Sequence, residues 1–206
     1  MFDEQSINKL RSYVERNLST KRFLHTLGVE RLAAALGEII IPDKVDEIRV
    51  AALLHDITKE LPINEQLSLM RDSDKVYSDE DYSTIPALHS FSAPVFIKKH
   101  LSEYATVDVL SAVENHTLAS NHMTLFDEIV FLSDYAEDGR QYASCVAVRS
   151  FISSNILCVT SYENSILSLH KAALMAIDAT IDSLILRGQR INKRTINTKK
   201  YLEKLI

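Results

Sequence analysis

Glycine and proline are scarce in this 206-residue chain, with four of each. Together they make up about 4%, against a usual share of roughly 12%. That is too little turn chemistry for many short strands. It argues against a β-sandwich, a β-propeller or a glycine-rich nucleotide-binding fold. Cysteine is nearly absent: Cys145 and Cys158 form neither a CxxC pair nor a framework, so both are expected to be reduced core thiols. No uninterrupted apolar run approaches the roughly 18 residues of a membrane span, so no membrane association is expected. A basic excess is also missing. The net charge is −5, which gives no reason to expect nucleic acid as a partner. The start, Met1-Phe2-Asp3-Glu4, lacks the basic and apolar stretches of a secretion signal, and the expected location is the cytoplasm.

What is present is ordinary for a globular protein: 46% hydrophobic and 25% charged residues. Apolar residues recur mostly at i, i+3 and i+4, which predicts an all-α fold. Helices are expected at 3–18, 20–38, 43–59, 63–71, 84–101, 106–117, 124–137, 143–157 and 161–187, with a shorter one near the end. That makes a bundle of about nine or ten helices. Pro42-Asp43 opens the third, Leu61-Pro62 closes it, and Gly139 and Gly188 close later ones. Ile39-Ile40-Ile41 would also suit a short strand, though no partner is evident. No repeat or long linker divides the chain. A single domain is expected over 1–206, with a core at about 18–160 and a long final helix and basic tail at 161–206.

Charge is uneven. Arg187, Arg190, Lys193, Arg194, Lys199, Lys200 and Lys204 stand against one acid, Glu203, in the tail. Cations of this kind suit a helix C-terminus, or they form a lip for phosphate.

The informative feature is a set of polar residues on apolar helix faces. His25 precedes Val29, Leu32 and Leu36 at steps of four, three and four. His55 follows Val45, Ile48 and Ala52; His89 lies between Ile85 and Ala93; His116 follows Val109 and Val113; Asp134 follows Val130 and Phe131. Asp56 adjoins His55. All should point inward or along the edge of the inward face. One such histidine is readily a hydrogen-bonded core residue, but two inward carboxylates among four imidazoles are simply explained by a cation between them. Nitrogen and oxygen donors without thiolate suit iron, manganese, cobalt, nickel or zinc. A structural network of His–Asp hydrogen bonds is the alternative. Adjacent helical residues diverge by about 100°, but near a helix end His55 and Asp56 can still converge on one ion. His100, His122 and His170 are expected at the surface or behind the inner residues.

The order His25, His55-Asp56, Asp134 on successive helices resembles the HD-domain superfamily of metal-dependent phosphohydrolases. The longer stretches Lys21–Val29, Ala51–Pro62, His116-Thr117 and Ile129–Arg140 are similar to the YqeK-type branch, whose members hydrolyse diadenosine tetraphosphate symmetrically to two ADP. The resemblance implies His25, His55, Asp56 and Asp134 as metal ligands, usually for iron. It implies His89, His116, Thr117, Lys59 and Arg140 as contacts to the nucleotide, with His89 and His116 alternatively holding a second metal. Arg22, one turn before His25, is expected to assist. The chain departs from the branch at His89-Ser90, where His-Gly is usual, and at His116-Thr117-Leu118-Ala119, where His-Thr-Thr-Gly is usual. It departs again at Ile191-Asn192-Lys193-Arg194-Thr195, where Ile-His-Pro-x-Thr is usual. The basic tail offers charge in place of the usual histidine and proline.

The expected activity is therefore metal-dependent phosphohydrolysis on one or two transition-metal ions, with Asp56 and Lys59 acting in catalysis. Asp56 would orient the attacking water or bridge two ions. Lys59, Arg140 and Arg22 would offset charge on the phosphoryl oxygens. With a single ion, His89 or His116 would instead protonate the leaving phosphate. The alternatives are an HD phosphohydrolase acting on another nucleotide, a nucleotide-sensing module without turnover, and a purely structural bundle. A small-molecule nucleotide is the expected partner, and a homodimer is compatible with the sequence.

Overall fold

The computed structural model describes residues 2–158 and 161–206. Among these the chain is all helix and turn, with no strand. Asp3 caps α1 (Glu4–Asn17), accepting from the Ser6 backbone at 2.8 Å. Ser19 caps α2 (Thr20–Ile40) in the same manner. Ile39 and Ile40 complete the last turn of α2 and do not form a strand, and the Ile41 N–H closes the helix on Gly37 O at 2.9 Å. A 3₁₀ turn at Pro42–Lys44 leads into α3 (Val45–Leu54).

The third helix is shorter than its periodicity predicts. After Leu54 the chain tightens into successive i→i+3 bonds: Ile57 N to Leu54 O at 3.1 Å, Lys59 N to Asp56 O at 2.9 Å and Leu61 N to Thr58 O at 3.1 Å. In such winding side chains at i and i+3 stand above one another, which sets Lys59 over Asp56. His55 and Asp56 reach one centre from this turn, with His55 Nε2 3.4 Å from Asp56 Oδ2.

The chain continues through α4 (Ile63–Arg71), the short α5 (Asp79–Ser83), α6 (Leu88–His100), α7 (Val107–Asn115) and α8 (Leu125–Ala136). It ends with α9 (Ala143–Ile152), a π turn at Ser153–Leu157, α10 (Tyr162–Leu186) and α11 (Lys193–Leu202). Helix α5 lies outside every predicted span; its capping box of Ser78 and Asp81 is too local to leave a periodic pattern.

Helix α2 packs on α3 and α8, and α7 closes against α3, α6 and α8. Helix α10 covers α8, α9 and α11. The main core, with Ile7, Leu36, Leu53 and Ile129 fully buried, lies among α1, α2, α3, α7 and α8. A smaller cluster of Met70, Tyr77, Leu88 and Phe91 supports α4, α5 and α6. No described helix is long and apolar enough to cross a membrane. Cys145 is buried, but Cys158 is exposed. The expectation of two core thiols fails at Cys158 because the helix has already unwound there.

Candidate metal and phosphate site

His25 comes from α2, His55 and Asp56 from the turn after α3, His89 from α6, His116 from the end of α7 and Asp134 from α8. The structure brings all six together. Ligand atoms of His25, His55 and Asp134 lie within 4.8 Å of one another, and so do those of Asp56, His89 and His116.

Backbone and carboxylate acceptors set the imidazole tautomers. His55 Nδ1 faces Ala52 O at 2.7 Å, His116 Nδ1 faces Val113 O at 2.6 Å, and His25 Nδ1 faces Glu137 Oε1 at 3.1 Å. A carbonyl only accepts, so Nδ1 carries the proton in His55 and His116, and the carboxylate gives His25 the same arrangement. Each then turns a bare Nε2 to the centre. Those of His25 and His55 are buried and make no hydrogen bond. His25 Nε2 lies 2.9 Å from Asp134 Oδ1, and His55 Nε2 lies 3.4 Å from Asp56 Oδ2. Lone pairs crowded against carboxylate oxygens in a buried place call for a cation among them, a metal ion or a proton on Nε2. The donor set therefore fits a divalent metal ion.

The second group is as tight. His89 Nε2 stands 3.1 Å from Asp56 Oδ1 and 2.9 Å from His116 Nε2. Thr117 Oγ1 reaches both rings, at 3.1 and 3.0 Å. Burial is the main cause that pushes the His89 pKa down to about 3, and it also lowers that of His116. Neutral rings of this kind suit ligation at pH 7. Burial disfavours charge on Asp134, but the Arg140 guanidinium holds its carboxyl well below the usual range.

Cations flank the outer side. Arg22 donates to Asp56 Oδ2 at 2.7 Å, and Arg140 donates to Asp134 Oδ1 at 2.6 Å and to the Asp134 carbonyl at 3.0 Å. Lys59 Nζ lies 3.1 Å from His89 Nδ1, and burial lowers its pKa. Two cavities open here, of about 1220 and 590 Å³. His25 and Arg22 line the larger; Lys59, His116, Thr117 and Asp134 line the smaller.

Spacing along the sequence points to no role for Glu137 or Arg149. Glu137 is 4% exposed; besides holding His25, it accepts from Gly139 N at 2.6 Å. Gly28, one turn after His25, makes room for it: a Cβ there would stand 2.3 Å from Glu137 Oε2. A glycine inside a helix, three residues after a candidate ligand, is the one signal of this in the sequence. Arg149 of α9 donates to the carbonyls of Ala136, Glu137 and Arg140 at 3.0, 2.6 and 3.1 Å, which fixes the loop carrying Arg140.

Other expectations sort cleanly. His100 and His122 are exposed, and His170 lies away from the centre, 2.9 Å from Glu128. The basic tail is not a phosphate lip as a whole. Arg190 pairs with Glu80, Arg194 with Asp81 and Lys199 with Asp178. Only Arg187 of that set lines a described cavity, the smaller one.

Residues 22–138 match the HD domain family. The chain is 28% identical over 194 residues to a symmetrical bis(5'-nucleosyl)-tetraphosphatase from Halalkalibacterium halodurans, covering 92% of each. It is 28% identical to the Staphylococcus aureus protein of the same name, over 87% of this chain and 93% of that one. Among solved structures it is similar to a "predicted HD superfamily hydrolase involved in NAD metabolism" from Clostridium acetobutylicum. The TM-score is 0.83 and the identity 28%, with both chains fully covered.

Proposed function

Because this chain belongs to the HD domain family, we propose that its buried histidines and aspartates serve symmetrical hydrolysis of a bis(5'-nucleosyl) tetraphosphate, diadenosine tetraphosphate being the first choice. The protein is a metal-dependent phosphohydrolase. The observation that carries the reading is the pair of orphaned imidazole nitrogens facing the buried Asp56 and the partly buried Asp134 carboxylates, with arginines on the outer side.

His25, His55 and Asp134 form one set of ligands, Asp56, His89 and His116 a second, and Asp56 lies 3.9 Å or less from imidazoles of both sets. Asp56 is thereby suited to bridging. The donor chemistry suits iron, which this reading favours, and also manganese, cobalt, nickel and zinc. A bound ion supplies Lewis acidity and a water that is nucleophilic near neutral pH.

The chain's own residues do the rest. In the reaction, water oxygen joins one central phosphorus, the bond to the bridging oxygen breaks, and two nucleoside diphosphates leave with release of a proton. Arg22 and Arg140 hold the Asp56 and Asp134 carboxylates and present their remaining N–H groups to phosphoryl oxygens as negative charge moves. Lys59 adds a cation to the lining of the smaller cavity, and Thr117 supplies a hydroxyl beside His89 and His116.

Product analysis tests the proposal. Metal-loaded protein should convert diadenosine tetraphosphate to ADP alone, and Arg140→Ala should lower kcat/KM about 100-fold. AMP with ATP as products would contradict the symmetrical cut. No turnover of this compound alongside release of orthophosphate or pyrophosphate from a nucleoside mono- or triphosphate would point to a different nucleotide substrate.

A further inference from the structure

The two cavities share a wall. Arg140 and Tyr142 border both, and the ligand cluster lies where they meet, with His25 in the larger and His116 and Asp134 in the smaller. A substrate cut at its midpoint has two equal arms leaving the reacting bond, and here two cavities leave the ligand cluster. Two residues of the larger cavity have no explanation in packing. Leu24 is 61% exposed on α2, and Tyr142 is 76% exposed at the start of α9. Tyr142 occupies the N-cap position, where Ser, Thr, Asp or Asn is favoured, yet its side chain makes no capping bond. Lys21, Arg22 and Arg31 line the same cavity and place positive charge along it.

We propose that the larger cavity seats one nucleoside arm of the substrate, its base gripped by Leu24 and Tyr142 and its phosphates led by Lys21 and Arg22 to the metal site. The smaller cavity takes the other arm, and Tyr142, on the common wall, separates the two. A base has an apolar π face, and an aromatic ring with an aliphatic side chain recognises it without reading its edge. This grip tolerates different bases, so the site selects for the presence of a second nucleoside more than for its identity. The inference rests on the symmetrical-hydrolase reading and adds to it the residues that tell a dinucleotide from a mononucleotide.

The test compares metal-loaded wild type with the Leu24→Ala variant, because Tyr142 borders both cavities while Leu24 lines only the larger; the Leu24 side chain is exposed, so folding is preserved. Calorimetric titration with ADP should show two molecules bound per wild-type chain and one per variant chain. The variant's KM should rise about tenfold for diadenosine tetraphosphate, equivalent to about 1.4 kcal/mol, and less than twofold for adenosine 5'-tetraphosphate, which lacks the second nucleoside. One ADP per wild-type chain, or equal KM changes for both compounds, overturns the subsite. Two ADP bound by a wild type that cleaves neither tetraphosphate upholds the subsite and refutes the hydrolase reading.

Discussion

Glu137 shows how a residue that touches no phosphate governs a site. Its carboxylate accepts a hydrogen bond from the His25 Nδ1–H and so aims Nε2 inward. Such partners of metal-ligating histidines are worth about 10–100-fold in metal affinity. Glu137→Ala is therefore expected to weaken metal binding by that factor, measured by competition with a chelating dye, while Glu137→Gln, which keeps an acceptor, loses less. Ala119 is the other telling residue. Its φ is +59°, in the left-handed region, and its N–H closes the end of α7 on Asn115 O at 2.9 Å. The related branch has glycine here, and this chain bears a Cβ where glycine is the unstrained choice. Ala119→Gly should raise stability by about 1 kcal/mol in denaturant unfolding.

At the scale of elements, the tail is a clasp. Asn192 caps α11 and donates to Thr84 Oγ1 at 3.0 Å, and Arg194 binds Asp81 of α5 through two nitrogens at 2.9 and 3.2 Å. The departure from His-Pro at this segment thus leaves a helix start with its own cap. Burial disfavours the charge on Asp81, but Arg194 and Ser78 hold its pKa below the ordinary value. A depressed carboxyl stabilises the fold above its unfolded pKa and loses that contribution as pH falls through its folded pKa. Asp81→Asn should cost about 2 kcal/mol at pH 7. The difference from wild type should shrink below about pH 4, when unfolding is followed across pH.

Across the whole molecule, the helical class and the six inward polar residues were legible because both follow from spacing along one chain. The His25 face of α2 and the Asp134 face of α8 each show their buried stripe in sequence. What was hidden depends on partners far apart in the chain. The turn that ends α3 at Leu54 competes with a helical pattern that runs on to 59. The Arg194–Asp81 pair joins residues whose neighbours suggest only a solvated tail. Glu137 acquires meaning only when Gly28 is packed beside it. Resemblance supplied the role proposed for each residue, and the geometry supplied tautomers compatible with those roles. The central claim is that these six side chains, from five places in the chain, gather to hold a divalent metal. Elemental analysis of the purified protein by plasma emission tests it most directly. One or two transition-metal ions per chain, lost together in His25→Ala and Asp134→Ala proteins that remain folded, is the expected result; wild-type protein that takes up no metal even after incubation with iron or manganese would contradict it.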